Sequence, residues 1–133
     1  MTVLADTHAL LWWKGDPARL SRAAHRELER ARPVLISPIS IWEVSTLLRL
    51  GRIALDRDLY AWIRDLLAGD VALADLSAPA AADAGSWDAT AFRGDPADRL
   101  IYATARELHV PLVTKDERLH GFAAAQGDVR TVW

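Results

Sequence analysis

Four apolar runs, Val3-Leu4-Ala5, Val34-Leu35-Ile36, Val71-Ala72-Leu73-Ala74 and Val110-Pro111-Leu112-Val113, recur along the 133 residues. Each is too short for a stable helix and each is ended by polar residues. An apolar run of this length without alternation marks a strand covered on both faces, as in a parallel sheet. The tail Val129–Trp133 has the composition of a fifth strand at a sheet edge. Between the runs lie helix-length segments with start and stop signals. Ala9–Trp13 stops near Gly15-Asp16-Pro17; Ser21 caps a helix from about Arg22 to Arg32, which Pro33 ends. Ser37-Pro38 opens a helix over about Ile39–Leu50 with Gly51 as its stop, and Asp56-Arg57-Asp58 caps another through Leu67. Leu59, Ile63, Leu66 and Leu67 are expected to face inward on that helix, with Trp62 as packing. Ser77–Trp87 reads as a helix of small residues, and Pro96 to about Leu108 as the longest. Strands alternating with helices predict an α/β fold: a single domain over 1–133 around a mainly parallel sheet with right-handed crossovers.

Several classes of function are excluded. Without cysteine there is no disulfide framework, thiolate metal site or thiol nucleophile. The N-terminus lacks a basic region and a long apolar stretch, and no run reaches the roughly 18 apolar residues of a membrane span, so a soluble, cytoplasmic protein is expected. A net charge of −2 does not describe a non-specific nucleic-acid binder, and any such role must be local. All basic residues except Lys14 and Lys115 are Arg; high-GC coding accounts for that bias as well as phosphate binding does.

The chemistry is carried by acids at the ends of apolar runs. In Gly94-Asp95-Pro96-Ala97-Asp98-Arg99, Asp95 is placed as an N-cap, Pro96 at the first helical position and Asp98 at the third. Capping alone accounts for both aspartates until three others are considered. Asp6 and Asp116 each terminate a strand. Glu43 shares a helical face with Ile39, Leu47 and Leu50, where an unpaired carboxylate is costly. Ligand sites in open α/β sheets lie beyond the carboxyl ends of the strands. Asp6, Glu43, Asp98 and Asp116 are therefore expected to meet in one acidic pocket.

Carboxylates brought together must be protonated, paired or neutralised by metal. Oxygen donors without His or Cys favour Mg²⁺ or Mn²⁺ over zinc. Such an ion suits phosphodiester hydrolysis, with Asp6 and Asp98 as direct ligands and Glu43 and Asp116 as further ligands or water positioners. Asp95 either joins the metal ligands or mainly caps and orients. Thr7 and Thr114 either hydrogen-bond the carboxylates or phosphate, or close strand-to-loop turns. Arg99 either neutralises the cluster or makes a structural ion pair; His8 lies close enough to see the cleft. Lys14, Arg19, Arg52, Lys115 and Arg118 are candidate phosphate contacts, each equally at home in solvent.

Leu4-Ala5-Asp6-Thr7-His8, Ser37-Pro38-Ile39-Ser40-Ile41-Trp42-Glu43-Val44, Gly94–Arg99 and Leu112-Val113-Thr114-Lys115-Asp116 together resemble the ordered acidic motifs of PIN domains, most nearly those of bacterial VapC-type toxins. The resemblance spans nearly the whole chain. It implies a three-layer α/β/α fold and a Mg²⁺- or Mn²⁺-dependent endoribonuclease with Asp6, Glu43, Asp98 and Asp116 at the family's acidic positions. It also implies a homodimer, an RNA substrate and a cognate antitoxin. Trp12, Trp13 and the helix beginning near Asp58 are candidate interface residues, with core packing as the competing role. The alternatives are a PIN-like nuclease in RNA or DNA processing without a toxin role, and an inactive PIN interaction module.

Overall fold

The computed structural model describes residues 1–133, which form five strands and seven helices. In chain order these are β1 (Val3–Ala5), α1 (Thr7–Gly15), a 3-10 turn (Pro17–Arg19), α2 (Arg22–Arg30), β2 (Val34–Ile36), α3 (Pro38–Arg49) and α4 (Leu59–Ala68). They continue as β3 (Val71–Leu73), α5 (Ala78–Ser86), α6 (Pro96–Leu108), β4 (Leu112–Val113), α7 (Glu117–Gln126) and β5 (Thr131–Val132). All strand pairs are parallel and the order is β3-β2-β1-β4-β5, so the expected tail strand does lie at an edge.

Strand alternation divides the interior into two layers. Val3, Ala5, Val34, Ile36, Val113 and Val132 face the core built with α1, α2 and α4. Leu4, Leu35 and Leu112 face the opposite core, built with α6, α7 and Phe92. Helices thus cover both faces of the sheet, the three-layer arrangement expected of short, continuously apolar strands. In the second layer Trp87, Phe92, Tyr102 and Phe122 pack ring against ring with centroids 4.8–6.3 Å apart.

Three expectations need correction. Helix α7 carries no strong periodic signal and was not anticipated; Asp116 starts it, and Leu119, Phe122 and Ala123 bury its inner face. The buried line of α3 is Ser40 and Val44, whereas Ile39, Glu43 and Leu47 are half-buried and Leu50 is exposed. The helix is rolled so that Glu43 borders an open cleft instead of interrupting a core stripe. On α4 the buried residues are Trp62 and Leu66, which confirms Trp62 as packing and leaves Leu59, Ile63 and Leu67 at the margin of the core.

The strand order reverses between β1 and β4, because β2 and β3 extend to one side and β5 to the other. At such a switch point neighbouring loops diverge and leave a crevice at the carboxyl ends of the strands. Asp6 leaves β1 and Thr114 leaves β4 on its two banks, joined by the hydrogen bond from Asp6 N–H to the Val113 carbonyl (3.0 Å).

An acidic cleft at the carboxyl edge of the sheet

Three acids in this crevice are helix caps, which explains why the sequence places them there. Asp6 accepts from the Ala9 N–H (2.8 Å), Asp95 from the Asp98 N–H (3.0 Å) and Asp116 from the Arg118 N–H (2.9 Å). A carboxylate at a helix start satisfies an otherwise unpaired donor and meets the positive end of the helix dipole. Capping and clustering are one arrangement: α1, α6 and α7 begin at the same edge of the sheet. Glu43 arrives from the second turn of α3.

The cleft encloses about 520 Å³ and is lined by Asp6, Thr7, Glu43, Asp95, Asp98 and Asp116, with His8, Trp12, Arg19, Lys115 and Arg118 around them. All four acids expected to meet do so, together with Asp95. Thr114 Oγ1 donates to Asp6 Oδ2 and accepts from the Asp116 N–H (3.0 Å), so one buried hydroxyl links two of the acids. Thr7 Oγ1 donates to Glu43 Oε1, and Ser40 Oγ lies 2.9 Å from the same hydroxyl. Ser40 was not singled out from the sequence. Its spacing of three from Glu43, on the same helical face, is the signal that would have found it.

The electrostatics are unbalanced. Burial raises the Asp6 carboxyl above its ordinary value against the opposing Thr114 bond, and burial likewise raises Glu43. Asp98 is pushed from 3.8 to about 7 by burial first, then by Asp95, Asp116 and Glu43. One cation is paired with these carboxylates. Arg118 holds Asp116 through two hydrogen bonds (Nε–Oδ1 3.2 Å, Nη2–Oδ2 2.9 Å) and reaches Asp98 Oδ2 at 3.5 Å. Burial would raise Asp116 too, but its bonds to Arg118 outweigh that and lower it.

Two sequence candidates take other roles. Arg99 neither neutralises the acids nor forms an ion pair; its guanidinium donates to the carbonyls of Ala84, Trp87 and Phe92 (the last at 3.0 Å) and pins the segment before Gly94. Lys14 pairs with Asp70 at 3.1 Å. Gly94 is required by packing: a Cβ there would run into the buried Phe92 ring and come within 3.0 Å of Asp98 Cβ.

The donor set suits a hard divalent ion, being all oxygen and carrying more negative charge than Arg118 can answer. It is not a closed cage, since no three of the acids are placed to grip one ion together. Mg²⁺ usually keeps several waters and takes only one or two carboxylates directly, so a looser ring of acids also suits it.

The family model described as PIN domain matches residues 3–125. Ribonuclease VapC22 of Mycobacterium tuberculosis (strain ATCC 25618 / H37Rv) is 42% identical over 118 residues, covering 89% of both chains. Among solved structures, a chain of VapBC2 from Rickettsia felis, bound to a DNA fragment from their promoter, superposes with a TM-score of 0.68 at 14% identity, covering 98% of this chain and 97% of that one. A chain of FitAcB from Neisseria gonorrhoeae gives a TM-score of 0.57 at 24% identity, covering 98% and 96%. At these identities the two structures speak for the fold alone.

Proposed function

The chain belongs to the PIN-domain family, and from that premise we propose that it is a VapC-type endoribonuclease, the toxic member of a toxin–antitoxin pair, hydrolysing RNA phosphodiester bonds with Mg²⁺ or Mn²⁺. The observation that carries the reading is the convergence of Asp6, Glu43, Asp98 and Asp116 in one cleft, where burial first and then the neighbouring carboxylates raise Asp98 to about 7. The ribonuclease relative supports RNA as substrate. The 42% identity to a ribonuclease VapC, together with the resemblance to VapC-type toxins, supports an antitoxin partner. A homodimer in the cytoplasm, as the family resemblance implies, completes the proposal; no helix is long and apolar enough to cross a membrane.

Asp6 and Asp98 would hold the ion, with Asp116 as a further ligand or water positioner. When bound, it supplies positive charge where negative charge develops on the phosphoryl oxygens. The protein keeps the acids in register. Thr114 orients Asp6 and ties it to the start of α7, and Asp95 caps the helix that carries Asp98. Glu43 is half-buried, raised by burial and oriented by Thr7, which suits it to accept a proton from an attacking water. Arg118 keeps the acids tolerable to one another before loading.

Purified chain, free of any partner, is to be mixed with total cellular RNA and Mg²⁺ or Mn²⁺, and the new RNA ends sequenced beside EDTA and Asp98→Asn controls. Reproducible ends that need both metal and Asp98 are the expected result. Absence of such ends, with folded protein that also fails to bind the metals by calorimetry, would reject the reading. A matched DNA substrate cleaved in preference to RNA would move the chain to the DNA-processing alternative.

A further inference from the structure

Trp12 stands at the mouth of the acidic cleft with two cations against it. It projects from α1 one turn after His8, whose ring lies 5.8 Å away, and its other neighbour is the edge of Trp133 at 5.7 Å. The Arg19 guanidinium sits 4.5 Å from the indole and the Lys115 ammonium 5.5 Å, both within cation–π range. Trp13, the next residue, is buried and its indole N–H donates to Glu29, as packing requires. Trp12 instead remains half-exposed and lines the same cleft as Asp6 and Asp116.

The charges divide in the same way. Arg118 is bound to the acidic floor, whereas Arg19 and Lys115 make no ion pair although five carboxylates line the cleft they border. An acidic floor repels phosphates until it is neutralised. A rim with two uncommitted cations and an accessible indole offers a polyanionic strand what the floor denies it. Arg19, from the turn after α1, and Lys115, from the β4–α7 connection, reach the ring from elements distant in sequence.

Resting on the ribonuclease reading, we propose that Trp12, Arg19 and Lys115 form a nucleotide subsite for the unpaired RNA residue beside the scissile phosphate. Its base stacks on the Trp12 indole, and the flanking phosphates lie against Arg19 and Lys115. Stacking needs a free π face, which every base has in a single strand and none offers inside a duplex. The subsite therefore selects single-stranded or looped RNA, with little preference among bases.

The test measures binding apart from cleavage. A fluorescein-labelled single-stranded RNA oligonucleotide is titrated, in EDTA, with the Asp98→Asn chain, whose floor carries one charge less, and anisotropy is read with and without further substitutions. Trp12→Ala is expected to weaken binding about tenfold to a hundredfold, and Trp12→Phe to restore most of it. Arg19→Gln with Lys115→Gln lowers affinity and reduces the slope of log affinity against log salt by roughly 1.4. The same RNA annealed to its complement binds more weakly. Metal-dependent cleavage by the wild-type chain is scored in parallel. If wild type cleaves but the variants bind like their parent, or the parent binds no RNA, the subsite is overturned and the ribonuclease reading stands. If wild type neither binds nor cleaves, both fall. Should Trp12→Ala prove unfolded by circular dichroism, the double variant decides, and an unchanged salt slope overturns the proposal.

Discussion

Two clusters of acids and arginines in this molecule use the same residue types to opposite effect. On the surface around α4, Arg57 clasps Asp56 (2.8 Å) and Asp65 (2.6 Å), while Arg64 approaches Asp65 at 3.2 Å. Two cations face two acids in water, and both carboxyls are lowered, chiefly by hydrogen bonds from Arg57. At the sheet edge five acids line one cleft, Arg118 pairs with only Asp98 and Asp116, and burial raises Asp6, Glu43 and Asp98. What differs is stoichiometry and solvent. The exposed cluster is complete, whereas the cleft is held together by helix caps and threonine hydroxyls in a state that further positive charge would relieve.

The sharpest break of this comparison is Asp98→Asn. It is expected to lower cleavage by more than about 100-fold, beyond what loss of a merely supporting residue costs. The same variant relieves repulsion, so the metal-free protein should become more stable at neutral pH, by on the order of 2 kcal/mol in denaturant titration. A variant that lost cleavage and stability together would instead mark Asp98 as structural.

Thr114→Val keeps the shape of a fully buried side chain but removes the hydroxyl shared by Asp6 and the Asp116 N–H. Metal affinity measured by calorimetry should fall about 10- to 100-fold, as for residues that orient ligands, and stability by about 1–3 kcal/mol.

The pH dependence separates the clusters. Asp98 faces Asp95, Asp116, Glu43 and Arg118, and its folded carboxyl titrates at about 7 against 3.8 ordinarily. Between those values the folded chain keeps a proton that the unfolded chain has released, so its contribution to stability is full below 3.8 and lost as pH rises through 7. Asp6 and Glu43 act in the same direction. Asp56, Asp65 and Asp116 are lowered, and their contribution is lost only as pH falls below about 4. Metal-free wild type should therefore lose stability from about pH 4 to pH 7. Asp98→Asn should flatten that slope, and added Mn²⁺ should raise the melting temperature more at pH 7 than at pH 5. A flat profile in wild type would show that the cleft's charges are already balanced.

The smallest effect is expected at the exposed cluster. Arg57→Gln should leave both the neutral-pH melting temperature and RNA cleavage unchanged, because solvent-exposed ion pairs contribute little. A clear loss of melting temperature would remove the distinction between the two regions.

Much of this architecture was legible without the fold. The continuous apolar runs placed four strands to within a residue or two, and Asp95-Pro96 marked the start of α6. Asp6, Asp95 and Asp116 were legible because each stood at an element boundary, where the periodic pattern stops and a cap is expected, and Asp98 because it follows such a cap by three residues. Helix α7 was not, since Gly121 and the run Ala123–Ala125 give it little amphipathic contrast; its place is set by Leu119 and Phe122 meeting the aromatic layer. Glu43 was assigned to the cleft, but from a helical face that the structure rolls aside in favour of Ser40 and Val44. Periodicity ranks faces by hydropathy, whereas the roll of a helix is decided by which small side chain lets it approach its neighbours.

The sequence by itself determined the local states: which segments are strands, where helices begin, and that carboxylates stand at those beginnings. These depend on neighbours within a few residues, through backbone hydrogen bonding and capping. Only the tertiary structure decided which charges meet. Arg118 rather than Arg99 answers the acids, Thr114 reaches Asp6 across 108 positions, and Arg19 and Lys115 gather at Trp12. Electrostatic and aromatic contacts act over distances in space that the chain crosses only by folding, and the reversal of strand order between β1 and β4 brings those distant residues to one edge.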